Sequence, residues 1–218
     1  DKSICRIGTT GTWTVFEAVG AVITSSGLSI TVSIPFAIGN TVINKCIPED
    51  ATHREAFRLI AQAAMSTCYF DRDDVLVFVA LVAGAVVDTL DNNNLYDVAK
   101  ISVTDRVNTV ELIVRDEYAE TETLYTANNI AVGESVQTLS VENPLVAAAN
   151  GPTVAGWLLT MANKRLRYDL QERGNPAREL GDTVKIYDAY GENRNAVIIK
   201  EDFSFDGTLN ASTKAWGG

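Results

Sequence analysis

His53 is the first candidate for chemistry, because it is the only histidine among the 218 residues. A histidine can act as a general base or as a metal ligand. The sequence offers no second histidine for a metal site, and no serine or cysteine lies close to His53 along the chain. His53 directly follows Thr52, which we predict to cap a helix, so the competing interpretation is an exposed residue of the first helical turn. We favour that interpretation and predict no catalytic role.

Acidic residues supply the next candidates. The segment "DRDD", Asp71 to Asp74, could hold a hard cation, but an EF-hand loop needs a longer spacing with a glycine and a distal glutamate. We therefore predict a polar hairpin turn at this segment. A pair drawn from Glu120, Glu122, Asp169 and Glu172 could act in glycoside hydrolysis, but nothing in the sequence selects two of them.

The segment "RGNPARELGD", Arg173 to Asp182, has the composition of a loop that could cradle a phosphate, but it lacks the common glycine-rich phosphate-binding patterns. We predict a sharp connection instead, because Pro176 cannot donate within a central strand and Gly174 and Gly181 allow turns on either side.

The three cysteines, Cys5, Cys46 and Cys68, form no CxxC pair and are widely spaced, so they indicate small buried thiols and neither a zinc site nor a disulfide framework. Taken together, these candidates lead us to predict no catalytic, cofactor-binding or metal-binding residues, no cofactor and no enzymatic activity.

The composition is that of a globular chain, with 46% hydrophobic and 21% charged residues. The formal charge of −10 argues against a general nucleic-acid binder, because phosphate affinity depends on clustered Lys and Arg. The longest apolar run, Val75 to Val87, has only about thirteen residues, and a bilayer span takes roughly 20. We therefore predict no specific nucleic-acid binding and no membrane insertion. The acids concentrate in residues 91–164, which hold ten acids and four bases, and we favour a solvated strand edge or loop there.

The elements that must position these residues begin with three helices. Thr14 to Glu17 and Thr52 to Glu55 each form a capping-box pattern, and Gly27 supplies the stop of the first helix. The second helix has an apolar stripe and leads into the hairpin "STCYF"–"DRDD"–"VLVFVAL". The third follows "NGP", with Pro152 at the first helical position. The stripe of the second helix comprises Ala56, Leu59, Ile60 and Ala63, and the inner face of the third comprises Val154, Trp157, Leu158 and Met161.

The remainder, from about Val98, consists mainly of β-branched or alternating runs such as "AKISVTD", "VNTVELIVRD", "TETLYTA", "SVQTLSV" and "RLRYDLQE". The sequence therefore predicts an α+β fold, predominantly antiparallel β with about three helices. The turn-rich "LDNNN" places the domain boundary near residue 90. We expect a mixed α/β domain over residues 1–90, with a helix and a hairpin, and a β-rich domain over 91–218 with one inserted helix.

Several segments together carry a resemblance to a protein family. "THREAFRLIAQAAMSTCYFDRDDVLVF" resembles a segment common in phage and prophage tail proteins, in which a helix headed by Thr-His-Arg-Glu-Ala leads to an "xxYxDRxxxL" hairpin. The segments "VENPLV", "VAGWLL" and "RYDLQERGNPARELGDTVKIYDAYGENRNAVIIKEDFSFDGTL" resemble the later part of the same family, in the same order. The resemblance covers most of residues 41–216, and the order and spacing of the motifs carry it.

The resemblance implies a structural protein of a long-tailed phage or prophage: a baseplate or tail-hub subunit that forms part of the channel for DNA ejection. It implies a tail-tube-like β domain preceded by a smaller α/β domain, and a homo-trimer whose two tube-like domains per subunit make a pseudo-sixfold ring. The expected partners are other tail proteins of the tube, baseplate and fibre. The expected location is the virion tail, after synthesis in the cytoplasm of the bacterial host. The chain begins at Asp1 without a methionine, so we also expect it to be part of a longer protein.

Two other functional classes stay open from the sequence. A tail-associated endopeptidase or lysin would need a nucleophile–base or metal constellation. A host-binding adhesin could use aromatic residues such as Tyr187, Tyr190 and Trp216 to contact a glycan, although strand aromatics more often pack within the protein.

Overall fold

The computed structural model describes residues 8–48, 50–81, 84–116, 120–187 and 193–217. These residues form four helices and fourteen strands, and seven of the ten strand pairings are antiparallel. The predicted α+β class is confirmed. In chain order the elements are β1 (Gly8–Thr14), α1 (Val15–Ser26), β2 (Val32–Ser33), α2 (Phe36–Gly39), β3 (Val42–Cys46), α3 (His53–Ala63), β4 (Ser66–Phe70), β5 (Leu76–Ala80), β6 (Val86–Leu90), β7 (Lys100–Val103), β8 (Thr109–Asp116), β9 (Thr121–Asn128), β10 (Thr138–Glu142), α4 (Gly151–Ala162), β11 (Leu166–Arg173), β12 (Thr183–Tyr187), β13 (Asn193–Phe205) and β14 (Leu209–Gly217).

The chain divides into two compact units, each built from two separate segments. Unit 1 comprises residues 1–80 and 107–161, and unit 2 comprises 81–106 and 162–218. These boundaries differ from the boundary predicted at residue 90. The difference arises because 107–161, which supplies β8, β9, β10 and α4, packs within the first unit. Turn residues mark where an element ends, but they do not show which core the next element joins.

The helices of unit 1 begin largely where the sequence predicts. At α1 the Thr14 hydroxyl accepts from the Glu17 N–H at 3.3 Å and the Glu17 carboxylate accepts from the Thr14 N–H at 2.7 Å, so the capping box is complete. Gly27 ends the helix in the left-handed conformation with φ 67°. At α3 the Thr52 hydroxyl accepts from the Glu55 N–H at 3.2 Å, while the Glu55 carboxylate lies 3.4 Å from the Arg58 guanidinium. The second box is therefore half formed.

The core of unit 1 is lined by the apolar faces of these helices. All four predicted stripe residues of α3 are buried. On α4 the buried residues include Val154 and Leu158, whereas Trp157 and Met161 are only half-buried. The predicted inner face of α4 is thus rotated, and Ala155 and Leu159 complete it.

The described residues of unit 1 form three small sheets, and two of them matter for its surface. β4 and β5 form the predicted hairpin, with Ser66 opposite Ala80 and Phe70 opposite Leu76. The three-stranded sheet has the order β10–β8–β9, so β9 and β10 are its edges. Alternation along β8 turns Val110, Leu112 and Val114 into the core and leaves the intervening residues on the opposite face.

Unit 2 is built on a six-stranded sheet of order β6–β12–β13–β14–β11–β7. One face of this sheet forms the core, which includes Tyr168, Leu170, Ile186 and Ile198. Along β11 burial alternates, so Tyr168 and Leu170 face the core and Asp169 faces outwards. The predicted strands "AKISVTD" and "RLRYDLQE" correspond to β7 and β11, which pair with each other.

Candidate functional site

His53 lies at the start of α3, and its placement differs from the prediction. The side chain is buried, 4% exposed, and its Nε2 lies 3.0 Å from the hydroxyl of Ser25 in the last turn of α1. The expectation of an exposed residue is wrong because α1 and α3 pack together, which covers the first turn of α3. The structure therefore brings a serine to the histidine from 28 residues away in the sequence.

A serine beside a histidine is the minimum unit of nucleophilic catalysis, but the surroundings of Ser25 oppose that chemistry. The Ser25 hydroxyl donates to the Val22 carbonyl at 2.9 Å, which is a common contact within a helix. The last turn of a helix presents carbonyl oxygens, whereas an oxyanion needs N–H donors. We interpret the Ser25–His53 contact as a link between two helices.

The cysteines are not placed for catalysis. Cys46 is buried and Cys68 is half-buried, and neither forms a disulfide. Burial raises the pKa of Cys68 to about 11, so its thiol stays protonated at neutral pH. The prediction of small buried thiols is confirmed for Cys46 and only partly for Cys68, and Cys5 lies outside the described residues.

The acidic segment at Asp71 forms the predicted turn between β4 and β5. One oxygen of the Asp71 carboxylate accepts from the N–H groups of Asp73 and Val75, each at 2.9 Å. Asp74 takes a positive φ of 58°, which closes the turn. The carboxylate of Asp71, the first residue of the segment, thus accepts hydrogen bonds from the backbone of the turn.

The four acids considered for glycoside hydrolysis are divided between the two units, with Glu120 and Glu122 in unit 1 and Asp169 and Glu172 in unit 2. Glu122 on β9 lies 3.1 Å from the Arg115 guanidinium, and Glu120 is exposed in the preceding turn. On β11, Asp169 is exposed and Glu172 is fully buried, since residues three apart on a strand face opposite sides.

The buried carboxylate of Glu172 belongs to a charged cluster that sequence reasoning missed. The Arg178 guanidinium, 2% exposed, lies 2.9 Å from Glu172 and 2.7 Å from Glu201, and 3.5 Å from Asp88. The Asn175 side-chain amide donates to Asp88 at 2.9 Å. This arginine therefore ties the loop "RGNPARELGD" to three strands, β6, β11 and β13, and the loop has a structural role.

The pKa shifts in this cluster have clear physical causes. Burial lowers the pKa of Arg178, but hydrogen bonds and charge attraction from Glu172 and Glu201 outweigh burial and raise it overall. Burial, together with repulsion from Glu172, raises the pKa of Glu201 although Arg178 lowers it. Alternation along β11 was a usable signal, because Tyr168, Leu170 and Glu172 share the core-facing period. An acid at that position requires a buried partner.

Within the described parts of the chain, no group of three or more His, Cys, Asp or Glu side chains could hold a metal ion. None of the helices in those same parts is long and apolar enough to cross a membrane.

The outward face of the unit 2 sheet carries a cluster of cations. Arg167 on β11 lies 3.9 Å above the ring of Trp216 on β14, which fixes the guanidinium against the sheet. Next to it lies a groove of about 320 Å³ that Lys100, Arg167 and Lys214 help to line. We call the part of this surface around the groove the basic face. It is defined by six charged residues on β7, β11, β13 and β14: Lys100, Arg167, Lys200, Lys214, Asp169 and Asp202.

The outward face of the β10–β8–β9 sheet in unit 1 has the opposite character. Arg115 lies 3.1 Å from Glu122 and 3.3 Å from Glu142, and Ile113 lies opposite Leu124 between these charges. We call this surface the acidic face; its charged members are Glu111, Glu122 and Glu142, with Arg115 among them.

The two described aromatic residues considered for glycan binding lie on different strands, Tyr187 on β12 and Trp216 on β14. Tyr187 is 40% exposed at the end of β12, Trp216 is covered by Arg167, and Tyr190 lies outside the described residues.

Exposed strand edges cover more of the surface than these aromatic side chains do. Six of the eight residues of β9 are exposed, and β7 is an edge strand whose Val103 is 62% exposed. Edges and faces of this kind are suited to contacts with other protein chains.

The sequence matches no known protein-family model, and it matches no curated protein sequence. Solved structures, in contrast, share the fold along nearly the whole chain. A 43 kDa tail protein of prophage MuSo2 from Shewanella oneidensis is 17% identical with a TM-score of 0.65, over 94% of this chain and 67% of its own. A tail protein from Neisseria meningitidis MC58 is 15% identical with a TM-score of 0.69, over 99% of this chain and 69% of its own.

A third similar structure is a chain in the virion of a native gene transfer agent particle, at 16% identity and a TM-score of 0.68, over 94% of this chain and 47% of that one. At these identities the likeness establishes the fold, and the chain has the fold of phage and prophage tail proteins. The resemblance carried by the sequence motifs is confirmed at this level.

Proposed function

We propose that this chain is a structural component of the tail tip of a long-tailed phage or prophage. In this proposal it is a baseplate or tail-hub subunit that forms part of the channel for DNA ejection. It is made in the cytoplasm of the bacterial host and resides in the virion tail. The observation that carries the proposal is the fold shared with two tail proteins over 94% and 99% of the chain.

The surfaces of the chain support an assembly role. An exposed edge strand such as β9 is usually covered by a partner, because its free N–H and C=O groups form a template for pairing. We propose that the partners are other tail proteins of the tube, baseplate and fibre, and further copies in a homo-trimer. Three copies related by a closed threefold rotation would form a ring.

We further propose that the chain is not an enzyme. The polarity of the helix end around Ser25 and the high pKa of Cys68 support this, because both oppose formation of a reactive nucleophile. Purified protein should then leave casein and peptidoglycan at the level of buffer alone. Turnover that disappears in His53→Ala would contradict this part of the proposal.

Antibody labelling of induced particles tests the location. The expected result is label at one end of the tail, away from the head. Label on the capsid, or on no particle at all, would refute the tail-tip assignment. Light scattering of the full-length protein tests the trimer, and a mass of one or two subunits would contradict it.

A further inference from the structure

The two units differ strongly in charge. Unit 1 contains fifteen acidic and seven basic residues, for a formal charge of −8, and unit 2 contains thirteen acidic and eleven basic residues, for −2. The thirteen acidic residues of unit 2 include Glu172 and Glu201, whose side chains are buried around Arg178. Its surface is therefore less acidic than its composition suggests.

The basic face concentrates cations on neighbouring strands. The strand registers place Asp169 opposite both Lys100 and Lys214, and Lys200 opposite Lys214. All three lysines are exposed. Four cations and two aspartates give this surface a formal charge of +2 on a chain whose total is −10. A positive surface on a negatively charged protein attracts a negative surface of a neighbouring molecule.

One guanidinium nitrogen of Arg167 on the basic face is buried without an acceptor. This atom, Nη1, has no hydrogen-bond partner among the described residues, and the guanidinium carbon lies 3.9 Å from the centre of the Trp216 ring. Burial lowers the pKa of Arg167, which reflects the cost of a cation removed from water without a carboxylate beside it. A neighbouring anionic surface would reduce this cost.

The acidic face is opposite in charge to the basic face, and each face has an apolar side chain beside its charged residues. Three glutamates and Arg115 give it a formal charge of −2, the opposite of the basic face. Leu124, 54% exposed, lies two residues after Glu122 on β9, and Trp216 lies two residues after Lys214 on β14 and opposite Arg167. Both surfaces are faces of β-sheets, and two such faces can pack about 10 Å apart.

We propose that the basic face of one copy packs against the acidic face of a second copy, so that unit 2 of the first contacts unit 1 of the second. The proposal deepens the proposed function and rests on it, since a subunit of a closed ring presents two different surfaces to its two neighbours. The occupant is protein and not nucleic acid, because the aspartates within the basic face and the −10 total oppose phosphate. The same aspartates complement Arg115 on the acidic face.

Exchange of charge between two variants tests this contact. The basic-face variant is Lys100→Glu/Lys214→Glu, and the acidic-face variant is Glu111→Lys/Glu122→Lys. The matched control is Arg54→Glu/Arg58→Glu, which changes the charge by the same amount at two exposed residues of α3. Sedimentation velocity of the wild type, each variant and their mixture is compared at about 50 mM salt, where screening is weak, and at about 500 mM.

We expect concentration-dependent association of wild type and control that weakens in high salt. Each face variant alone should associate at least roughly tenfold more weakly, because like charges then meet. The equimolar mixture should regain association, because each variant still carries one face that fits the other. Unaltered association of the single variants, or a monomeric wild type and mixture, would overturn the proposal. Binding of a DNA duplex that is lost in Lys100→Glu/Lys214→Glu would overturn it in favour of nucleic acid.

These outcomes are separate from those that test the proposed function. A tail-tip location can hold with a different contact surface, and the charge exchange can succeed in a protein located elsewhere.

Discussion

Replacement of Arg178 by methionine should destabilise unit 2 severely. Methionine keeps much of the volume of the side chain but removes the charge that faces the Glu172 and Glu201 carboxylates, which are 0% and 4% exposed. Removing one partner of a buried ion pair leaves an uncompensated charge and typically costs about 3–5 kcal/mol. For a chain of this size the midpoint of thermal unfolding should fall by roughly 10 °C. The control is Arg173→Met, an exposed arginine on β11, which should change the free energy of unfolding by about 0.5 kcal/mol or less.

The loss in free energy of unfolding caused by Arg178→Met, here called the deficit, should depend on pH if it arises from lost charge. It should not depend on pH if it arises from lost packing. Burial already raises the pKa of Glu201, so the cost of its charged form is present above that pKa and is relieved as the pH falls. The deficit should therefore shrink from pH 7 towards pH 4, as protonation removes the unpaired charge. Urea titrations followed by circular dichroism measure the free energy of unfolding of the wild type and of Arg178→Met at each pH, and the difference is the deficit. A deficit below about 1 kcal/mol at pH 7, or one that does not vary with pH, would refute the reasoning.

If Arg178→Met does not fold, replacement of Glu201 by glutamine provides a second test of the charged cluster. Glu201→Gln removes one buried charge and leaves Glu172 to pair with Arg178. The double variant Arg178→Met/Glu201→Gln should then be more stable than Arg178→Met alone, because fewer unpaired charges remain. Additive losses would contradict the role assigned to the cluster.

Three further predictions concern single residues of unit 1. Thr52→Ala should cost roughly 0.5–2 kcal/mol in the free energy of unfolding through loss of the cap, and an unchanged reversible melting temperature would contradict the helix start. Cys68 should resist iodoacetamide at pH 8 and react only as the pH approaches its pKa of about 11, as peptide mass spectrometry would show. Asn108→Ala should cost roughly 1–3 kcal/mol in urea unfolding, because its fully buried amide donates to the Ser135 carbonyl and accepts from the Gln137 N–H, each at 2.8 Å.

Local features of the fold could be predicted because their causes lie within a few residues. The Thr14–Glu17 box, the Gly27 stop and the Asp71 turn are each complete within five residues of sequence. Alternating runs likewise predicted β7, β8 and β11, because a strand with one buried face has a period of two. The resemblance of ordered motifs added the fold of the tail proteins, which the structure shares.

Features that depend on distant residues could not be predicted in this way. His53 is buried because a helix 28 residues earlier packs over it, and Arg178 finds one of its partners 23 residues later. The basic face arises from registers that join β7, β11, β13 and β14, and no stretch of sequence shows it as a cluster. The two discontinuous units follow from the same cause, since the sequence gives no sign that 107–161 returns to the first core.

A cryo-electron-microscopy reconstruction of the tail tip of the particle that carries this protein tests the central claim most directly. The proposal predicts density for this fold at the tip, in three copies around the tail axis, with each copy adjoining the tube. Density that fits the fold only in the capsid, or a tail tip built entirely from other chains, would contradict it.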